Sequence, residues 1–301
     1  MSSTRIYNSI VLVKQVPDTH HITGDVMKED GTMNRSALPA IFNPEDLNAL
    51  EMALQVRERY GGQVTVLTMG PPAAAEVLRD ALYRGADRVI LLSDRKFAGA
   101  DTLATSYTLK CAIEKLGDFD LIFCGRQAID GDTAQVGPQT AEKLGIPQIT
   151  YAESIVSLEG DEILVERAFS MGKEWVKCSL PCLLTVVASA NWPRPPSARK
   201  RIEYKLAATP LEYRALLKKW PEFEPEEALD AYLAARHLKI PVWTAADIGA
   251  DEDKLGLGGS PTQVYKVNFV VLETTESKEV PADQEGIAAL MQELVREYIV
   301  G

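Results

Sequence analysis

The sequence contains few of the residues that build metal sites. Its 301 residues include three histidines and four cysteines. Two of the cysteines, Cys178 and Cys182, form a Cys-x3-Cys pair, but this pair lies in a strand-like segment without a neighbouring histidine. Structural zinc sites usually combine four cysteine or histidine ligands. Buried free thiols are therefore the favoured interpretation of the cysteines, and we expect no metal site.

Long apolar runs and an excess of positive charge are also missing. No stretch approaches the roughly 20 consecutive apolar residues that a membrane-spanning helix needs. The formal net charge is −11, whereas a nucleic-acid surface needs lysines and arginines that neutralise phosphates. Hydrophobic residues make up 46% and charged residues 25% of the chain, which is typical of a globular protein. We therefore expect a soluble, cytoplasmic protein that binds no nucleic acid.

In the first half of the chain, short β-branched runs alternate with amphipathic segments. The runs predict four buried strands: Ile10–Val16, Val64–Met69, Arg88–Leu92 and Leu121–Cys124. Helices are predicted between them, from Asn43 to the glycines at 61 and 62, from about Ala73 to Tyr83, and from Asp101 to Gly117. This alternation specifies a doubly wound, mostly parallel α/β sheet with right-handed crossovers. If the strand order is 3-2-1-4-5, the first and fourth strands end side by side and form a ligand crevice.

The start of the first predicted helix has strong local signals. Asn43 is a favourable cap, and Pro44 suits the first turn. Glu45 and Asp46 follow at the positive end of the helix dipole. We therefore predict that the helix begins at Asn43, which would lie at the edge of the crevice.

The stretch from Leu121 to Tyr151 is the most informative part of the sequence. Asp132 and Thr133 are good helix caps, and they predict a helix that runs to Gly145. A helix start favours a phosphate because it offers free N–H groups and a positive dipole end. The string is neither a Walker loop nor GxGxxG, and its glycine spacing fits an ordinary strand-to-helix connection equally well. Three glycines would let the backbone approach a ligand closely: Gly125, Gly131 and Gly137.

Beyond Tyr151 the pattern changes. Runs at Ser154–Val156, Ile163–Val165 and Glu174–Val187 follow one another without helices, and they predict antiparallel strands at the sheet edge. Asn191–Arg201 is rich in proline and cations and is predicted to be exposed and extended. Leu206–Leu238 carries a helical pattern that predicts an inserted helical hairpin.

Three strings closely resemble the β subunits of electron transfer flavoproteins. They are GRQAIDGDTAQVGP, which begins at Gly125, FNPEDLNALE, which begins at Phe42, and GSPTQV, which begins at Gly259. The resemblance covers about the whole chain apart from the insertion. It implies a Rossmann-like, adenine-nucleotide-binding fold in which the loop after the fourth strand holds the phosphates of AMP or of the adenylate half of FAD.

Further features are similar to one branch of that family, found in anaerobes. They are Leu12, the run Ala134-Gln135-Val136, and the segment Ser93–Leu109. In this branch the β subunit carries FAD, and several members bifurcate electrons from NADH. The resemblance therefore implies FAD as the cofactor and NADH as a candidate electron donor, in a redox component rather than a stand-alone enzyme. The alternative is a structural subunit that binds only AMP, with the redox FAD in the α subunit.

The resemblance and the predicted crevice together assign the cofactor contacts. Around the crevice these are Leu12, Val13, Lys14, Asp18, Asn43 and Met69. In the loop they are Gly125, Arg126, Gln127, Gly131, Asp132, Thr133, Ala134, Gln135 and Val136. For the ribityl chain or flavin of a full FAD they are Asp101, Thr102 and Thr105. Helix capping alone also explains Asn43 and Asp101, and solvent exposure alone also explains Lys14 and Asp18.

The resemblance also implies an assembly with other proteins. It divides the chain into a nucleotide-binding domain at 1–190, a basic recognition loop with the insertion at 191–238, and a C-terminal arm at 239–301 that packs on an α subunit. We expect Trp243 and the GSPTQV turn near that interface. The basic loop resembles the one that docks onto acyl-CoA dehydrogenases, although Ala198 replaces the usual leucine. Candidate partners are the α subunit, an acyl-CoA dehydrogenase or similar oxidoreductase, ferredoxin, and a membrane-linked quinone reductase.

Overall fold

The structure is a computed structural model, and it describes residues 5–18, 39–263 and 278–300. The chain divides into two compact units, Met1–Val264 and Tyr265–Gly301. Among the described residues, no helix has both the length and the apolar content of a membrane span.

The described strands and helices follow the predicted alternation in the first half of the chain. The strands are β1 Ser9–Val13, β2 Gln15–Pro17, β3 Ala40–Phe42, β4 Val64–Met69, β5 Arg88–Leu92, β6 Leu121–Gly125, β7 Gln148–Glu159, β8 Glu162–Phe169, β9 Gly172–Ser179, β10 Cys182–Val186 and β11 Val242–Trp243. The helices are α1 Pro44–Tyr60, α2 Ala75–Arg84, α3 Thr102–Leu116, α4 Val136–Leu144, α5 Ala198–Tyr204, α6 Tyr213–Leu217, α7 Glu226–Ala235 and α8 Gln284–Arg296.

One nine-stranded sheet dominates the described part of the first unit, in the order β11-β5-β4-β1-β6-β10-β7-β8-β9. The strands from β11 to β7 pair in parallel, and β8 and β9 extend the sheet with antiparallel pairings. Strands β2 and β3 form a separate antiparallel pair. The predicted mostly parallel α/β sheet with added antiparallel strands is confirmed, and β5-β4-β1-β6 has the predicted order 3-2-1-4. The prediction of an antiparallel edge was wrong for β10, which lies inside the sheet and pairs in parallel with β6 and β7.

Each face of the central sheet is covered by helices. Val11 and Val13 of β1 belong to one buried cluster, together with residues of α1 and α2. Ile10 and Leu12 belong to a second cluster, together with residues of α3 and α4. Because both faces are covered, β1 is an uninterrupted run of buried residues, as is typical of parallel strands.

The predicted first strand, Ile10–Val16, was too long. β1 ends at Val13, and the backbone N–H of Lys14 donates to the Asp46 carboxylate at 2.8 Å. The chain then turns into β2, which pairs with β3. A single β-branched run therefore contains two strands, because a side chain from α1 takes the hydrogen bond that the sheet would have used.

The predicted helix start at Asp132 and Thr133 was also wrong. α4 begins at Val136. Asp132 has a φ of 49° and Ala134 a φ of 53°, and a right-handed helix cannot include residues in this left-handed conformation. The residues before Val136 therefore form an irregular loop.

The second half of the first unit is more regular than predicted. β7 and β8 are longer than the predicted runs Ser154–Val156 and Ile163–Val165. Ala198–Tyr204 forms α5, which contradicts the prediction that 191–201 contains no regular element. The predicted helical pattern of the insertion is present as α6 and α7, and buried residues from both helices join the core cluster on the α1 side.

Part of the predicted C-terminal arm completes the sheet of its own chain. Trp243 lies in β11, which pairs in parallel with β5. Thr262 of the GSPTQV turn donates hydrogen bonds to the Asp101 side chain. In the second unit, one side of α8 exposes three apolar residues, Ile287, Met291 and Val295. The division into three functional regions, with an arm that packs on a partner, stays a prediction.

Candidate functional site

The carboxyl ends of β1 and β6 lie side by side, with Leu12 opposite Cys124. The strand order reverses at this point, because β4 lies on one side of β1 and β6 on the other. Doubly wound sheets bind ligands in the crevice at such a reversal. The residues that follow β6 form the crevice loop, residues 126–135, and α1 begins beside it.

Asp46 connects the two strand ends. Its Oδ2 accepts the N–H of Lys14 at 2.8 Å, and its Oδ1 accepts the N–H of Gly125 at 2.9 Å. Burial raises the pKa of Asp46 to about 7, although these hydrogen bonds act to lower it. A Cβ atom on Gly125 would lie 2.5 Å from Asp46 Oδ1. Packing against α1 therefore requires glycine at 125, whatever its role toward a ligand.

Asn43 fixes the crevice loop rather than capping the helix. Its Nδ2 donates to the Gln127 carbonyl at 2.9 Å, and its Oδ1 accepts the N–H of Ile129 at 3.1 Å. The side chain is completely buried and makes no capping hydrogen bond. The predicted cap role was therefore wrong for the side chain, and only the backbone carbonyl of Asn43 accepts N–H groups of the first turn, those of Asp46 and Leu47.

Two ion pairs hold the same loop. Glu45 accepts the backbone N–H of Gln127 at 2.9 Å and pairs with Arg126 Nη2 at 3.1 Å. Lys14 Nζ donates to both carboxylate oxygens of Asp130 at 2.8 Å. The first half of the crevice loop is thus fixed at several points by α1 and by the residue that follows β1.

The second half of the crevice loop is open. Gly131, Asp132 and Thr133 are exposed, and a Cβ atom on Gly131 would meet no atom within 4 Å. No side chain caps the start of α4, so no side-chain oxygen accepts the N–H groups at the positive end of its dipole. By contrast, a Cβ atom on Gly137 would lie 2.7 Å from Cys124 Sγ, so helix-to-strand packing explains that glycine.

The start of α3 contacts the crevice loop through one hydrogen bond. Thr102 Oγ1 donates to Gln135 Oε1 at 2.9 Å. Thr105 lies one turn further along α3, where its N–H donates to the Asp101 carbonyl. The structure therefore brings Thr102 into contact with the predicted phosphate loop, whereas Thr105 makes no such hydrogen bond among the described residues.

Asp101 has a different environment. One carboxylate oxygen accepts the N–H groups of Leu103 and Ala104, and the other accepts the N–H and the hydroxyl of Thr262. Burial acts to raise the pKa of Asp101, but these hydrogen bonds outweigh it and lower the pKa. Four accepted hydrogen bonds satisfy a carboxylate, so Asp101 acts as a helix cap that also fixes the 256–262 turn.

Five further predicted contacts are buried or half-buried. Leu12 and Val13 belong to the two core clusters, so a ligand would meet them mainly through backbone atoms. Met69 ends β4 and is half-buried. Asp18 is 9% exposed, and its N–H donates to the Pro39 carbonyl at 2.8 Å. Val136 is half-buried and packs against the second cluster.

Sequence reasoning missed three acids as site residues: Glu45, Asp46 and Asp130. In the sequence, Glu45 and Asp46 resemble ordinary acidic residues of a first helical turn. The neighbouring residues do not indicate that both are buried and hydrogen-bonded to residues about 80 positions away. Asp130 pairs with a lysine that precedes it by more than 100 positions. In the sequence, only the position of Glu45 and Asp46 directly after Asn43-Pro44 suggests a shared role for two of these acids.

Two cavities lie away from the crevice. One of about 210 Å³ lies between α1 and β7, and one of about 160 Å³ lies at the amino ends of β1, β4 and β5. Neither contains a predicted cofactor residue. Among the described residues, no group of three or more acidic, histidine or cysteine side chains is placed to hold a metal ion. The crevice is therefore identified by its loop geometry rather than by an enclosed volume.

Comparisons with known proteins agree on one family. The electron transfer flavoprotein domain matches residues 30–210. The electron transfer flavoprotein subunit beta of Thermoanaerobacterium thermosaccharolyticum is 41% identical over 97% of this chain and 100% of the relative. The subunit of the same name from Clostridium acetobutylicum is 45% identical over 86% of each chain. The caffeyl-CoA reductase-Etf complex subunit CarD of Acetobacterium woodii is 43% identical over 85% of this chain and 86% of the relative.

The domain match includes the crevice loop and the start of α1, and the Thermoanaerobacterium relative aligns with 97% of the chain. They include relatives from anaerobic bacteria, as the sequence features had indicated. The chain therefore belongs to the electron transfer flavoprotein β-subunit family.

Proposed function

We propose that this chain carries an FAD in the crevice between β1 and β6. In this role it takes part in electron transfer from NADH or a dehydrogenase to a partner oxidoreductase, by way of a second FAD in an α subunit. The observation that carries the proposal is the crevice loop, whose first half is fixed by buried side chains of α1 and whose second half is open beside an uncapped helix start. A bound FAD would supply the hydride and electron chemistry, and the protein would supply position and electrostatics.

The open half of the loop suits a pyrophosphate. Backbone N–H groups at a helix start bind anions well, because they have no partner within the helix and lie at the positive end of the helix dipole. The Thr133 hydroxyl is an additional donor, and Gly131 leaves space for a close approach. Gly125, Arg126 and Gln127 hold the loop in place, while 131–136 would make the phosphate contacts.

A full FAD is favoured over AMP by the position of α3. Its first turn offers the hydroxyls of Thr102 and Thr105, and Thr102 already bonds to Gln135 of the crevice loop. Those groups would serve the ribityl chain or the flavin, which AMP lacks. Asp101 contributes only by fixing this helix start.

The alternative function is a structural subunit that binds AMP alone. The hydrogen bonds of Asp101 favour this alternative. Its carboxylate already accepts four of them, so one of the three polar side chains proposed to contact FAD has no capacity left for a ligand. In that case the redox FAD belongs to the α subunit, and this chain stabilises the complex.

The proline-rich segment, residues 191–197, supports a partner of the oxidoreductase class. Asn48 and Asn191 exchange hydrogen bonds at 2.7 and 3.0 Å, which fixes the start of the segment on α1. Trp192 beside it is 95% exposed. A fixed segment with an exposed tryptophan is preorganised for docking, and the name of the Acetobacterium woodii relative associates that protein with a caffeyl-CoA reductase. We expect an acyl-CoA dehydrogenase or a related reductase here, with ferredoxin or a quinone reductase as further candidates.

The proposal is tested by extracting and quantifying the nucleotides of the full chain, purified together with its α subunit. Two FAD per heterodimer is the expected result. One FAD with one AMP would contradict the FAD assignment and establish the alternative. A complex with one FAD and no second nucleotide would contradict both functions of the crevice.

A further inference from the structure

One buried carboxylate connects the two strands that form the crevice. Asp46 accepts one N–H from Lys14, directly after β1, and one from Gly125, the last residue of β6. Its side chain is 6% exposed. The crevice loop leaves the sheet at Gly125, so the Asp46 carboxylate fixes both sides of the crevice at once.

We propose that Asp46 is a positioning residue for the crevice loop: its ionised carboxylate joins β1 to β6, and uptake of one proton weakens that connection and speeds nucleotide release. This inference rests on the proposed nucleotide site. An ionised carboxylate can accept from both N–H groups, whereas a protonated oxygen carries a hydrogen of its own. The protonated oxygen is a weaker acceptor than a carboxylate oxygen, so its hydrogen bond from the N–H of Lys14 or Gly125 is weakened.

The local environment places this proton exchange near neutral pH. Burial raises the pKa of Asp46 to about 7, and hydrogen bonds from Gly125, Asn43 and Lys14 act against a larger increase. The form that holds the loop therefore predominates above about pH 7, and the form that releases it predominates below.

Other titratable and charged groups surround Asp46 and must be separated from it. They come from β1, β6, α1 and the crevice loop: Lys14, Cys124, Glu45, Arg126 and Asp130. Burial, with a smaller contribution from the two α1 acids, raises the pKa of the Cys124 thiol well above its usual range. A replacement of Asp46 leaves all of these groups in place, so a pH effect that disappears with Asp46 belongs to Asp46.

Fold stability and loop position respond to this proton in opposite directions. Because the folded-state pKa is raised from 3.8 to about 7, the stability that Asp46 contributes is fully present below its ordinary pKa and is lost as the pH rises through about 7. Nucleotide retention instead needs the ionised form, so it increases over the same pH range. A purely structural role would change stability and retention together.

The test measures nucleotide release from the full chain purified with its α subunit. Rapid filtration and chromatographic quantification of FAD and AMP give release rates between pH 6 and pH 8.5, and the thermal unfolding midpoint is recorded at each pH. In the wild-type protein, release should accelerate below pH 7 by up to about tenfold per pH unit, the limit for one proton. In Asp46→Asn, release should be fast and independent of pH, while the unfolding midpoint at pH 8 is no lower than that of the wild type.

A matched control is Asp120→Asn. Asp120 Oδ2 accepts the N–H of Asn8 at 2.8 Å, just before β1 and far from the crevice. This variant should keep the pH dependence of release. Wild-type release that does not change with pH, or an Asp46→Asn variant that keeps the wild-type profile, would overturn the inference while nucleotide binding itself stands. A wild-type complex without nucleotide in this chain would instead contradict the proposed function, and the inference with it.

Discussion

Helix α1 holds two irregular segments by two different kinds of contact. Its first turn holds the crevice loop through Asn43, Glu45 and Asp46, which bond mainly to backbone groups and are all less than 9% exposed. Its middle and last turn hold the proline-rich segment through Glu51 and Glu58, which bind the Arg194 guanidinium.

The two kinds of contact have different consequences when they are broken. A buried backbone N–H that loses its acceptor stays unsatisfied, because water does not reach it. The Arg194 side chain is 28% exposed and that of Glu58 is 54% exposed, whereas that of Glu51 is 7% exposed. Water can therefore replace the Glu58 part of the interaction. The crevice loop therefore depends on exact packing, whereas the proline-rich segment depends on charge that tolerates substitution better.

The largest effect is expected from Gly125→Ala. The new Cβ would lie within 2.8 Å of three atoms of Glu45 and Asp46, two of them in the backbone, so either β6 or α1 must move. We expect a loss of about 2–3 kcal/mol in the free energy of unfolding, the upper part of the range for overpacking, together with loss of bound nucleotide. Urea denaturation and nucleotide extraction measure both. Wild-type stability in this variant would show that the first turn of α1 is not rigid.

Asn43→Ala should have the next largest effect. The variant leaves the Gln127 carbonyl and the Ile129 N–H without their partner in a buried place, which costs about 1–3 kcal/mol. Nucleotide content should fall as well, because the first half of the crevice loop is released. Asn43→Asp keeps an acceptor for Ile129 but loses the donor to Gln127 and adds a buried carboxylate beside Asp46, so it should also release the loop. If both variants retain full nucleotide content, Asn43 does not position the loop.

Arg194→Ala should have the smallest effect of the three. We expect a loss of about 1 kcal/mol in the free energy of unfolding, because the Glu58 pair is solvated and Glu51 keeps its hydrogen bonds from the backbone N–H of residue 194 and from Gln55. Nucleotide content should be unchanged, and binding of the partner oxidoreductase should be weaker. Loss of nucleotide from this variant would show that the two segments are not held independently.

The Arg194 contacts also predict a dependence on pH. Burial acts to raise the pKa of Glu51, but hydrogen bonds from Arg194 and Gln55 outweigh it and lower the pKa. Glu51 therefore stabilises the fold above its ordinary pKa, and this contribution is lost as the pH falls through the lowered value. The stability difference between wild type and Arg194→Ala should accordingly shrink in acid, in denaturation curves recorded from pH 7 to pH 3.

The parts of the structure that the sequence predicts well are those with local causes. Val64–Met69 and Arg88–Leu92 are strands at the predicted residues, because short apolar runs with β-branched residues, bounded by turns, strongly favour a buried strand. The prediction was wrong where a distant side chain or an unusual backbone conformation determines the end of a strand or the start of a helix. Asp46 ends β1 from 32 positions away, and the left-handed conformation of Ala134 delays α4 although alanine favours helix.

The candidate site shows the same division. The crevice and its loop were predictable, because strand order and glycine-rich turns have general rules. The anchoring roles of Glu45 and Asp46 were not, since burial and partners about 80 positions away depend on the completed fold. Asn43 was correctly predicted to lie beside the crevice loop, but the local role predicted for its side chain was a helix cap, whereas that side chain holds the loop.

The most direct test of the central claim is the nucleotide content of Gly131→Val. Gly131 has open space around it in this chain, so a valine there should leave folding intact and obstruct only a bound phosphate. Gly258→Val is the matched control, because the nearest atom to its Cβ would lie at 3.9 Å and the residue is outside the crevice loop. We predict wild-type unfolding midpoints for both variants, with nucleotide lost from Gly131→Val alone. Full FAD or AMP occupancy in Gly131→Val would contradict the assignment of the crevice loop as the phosphate site.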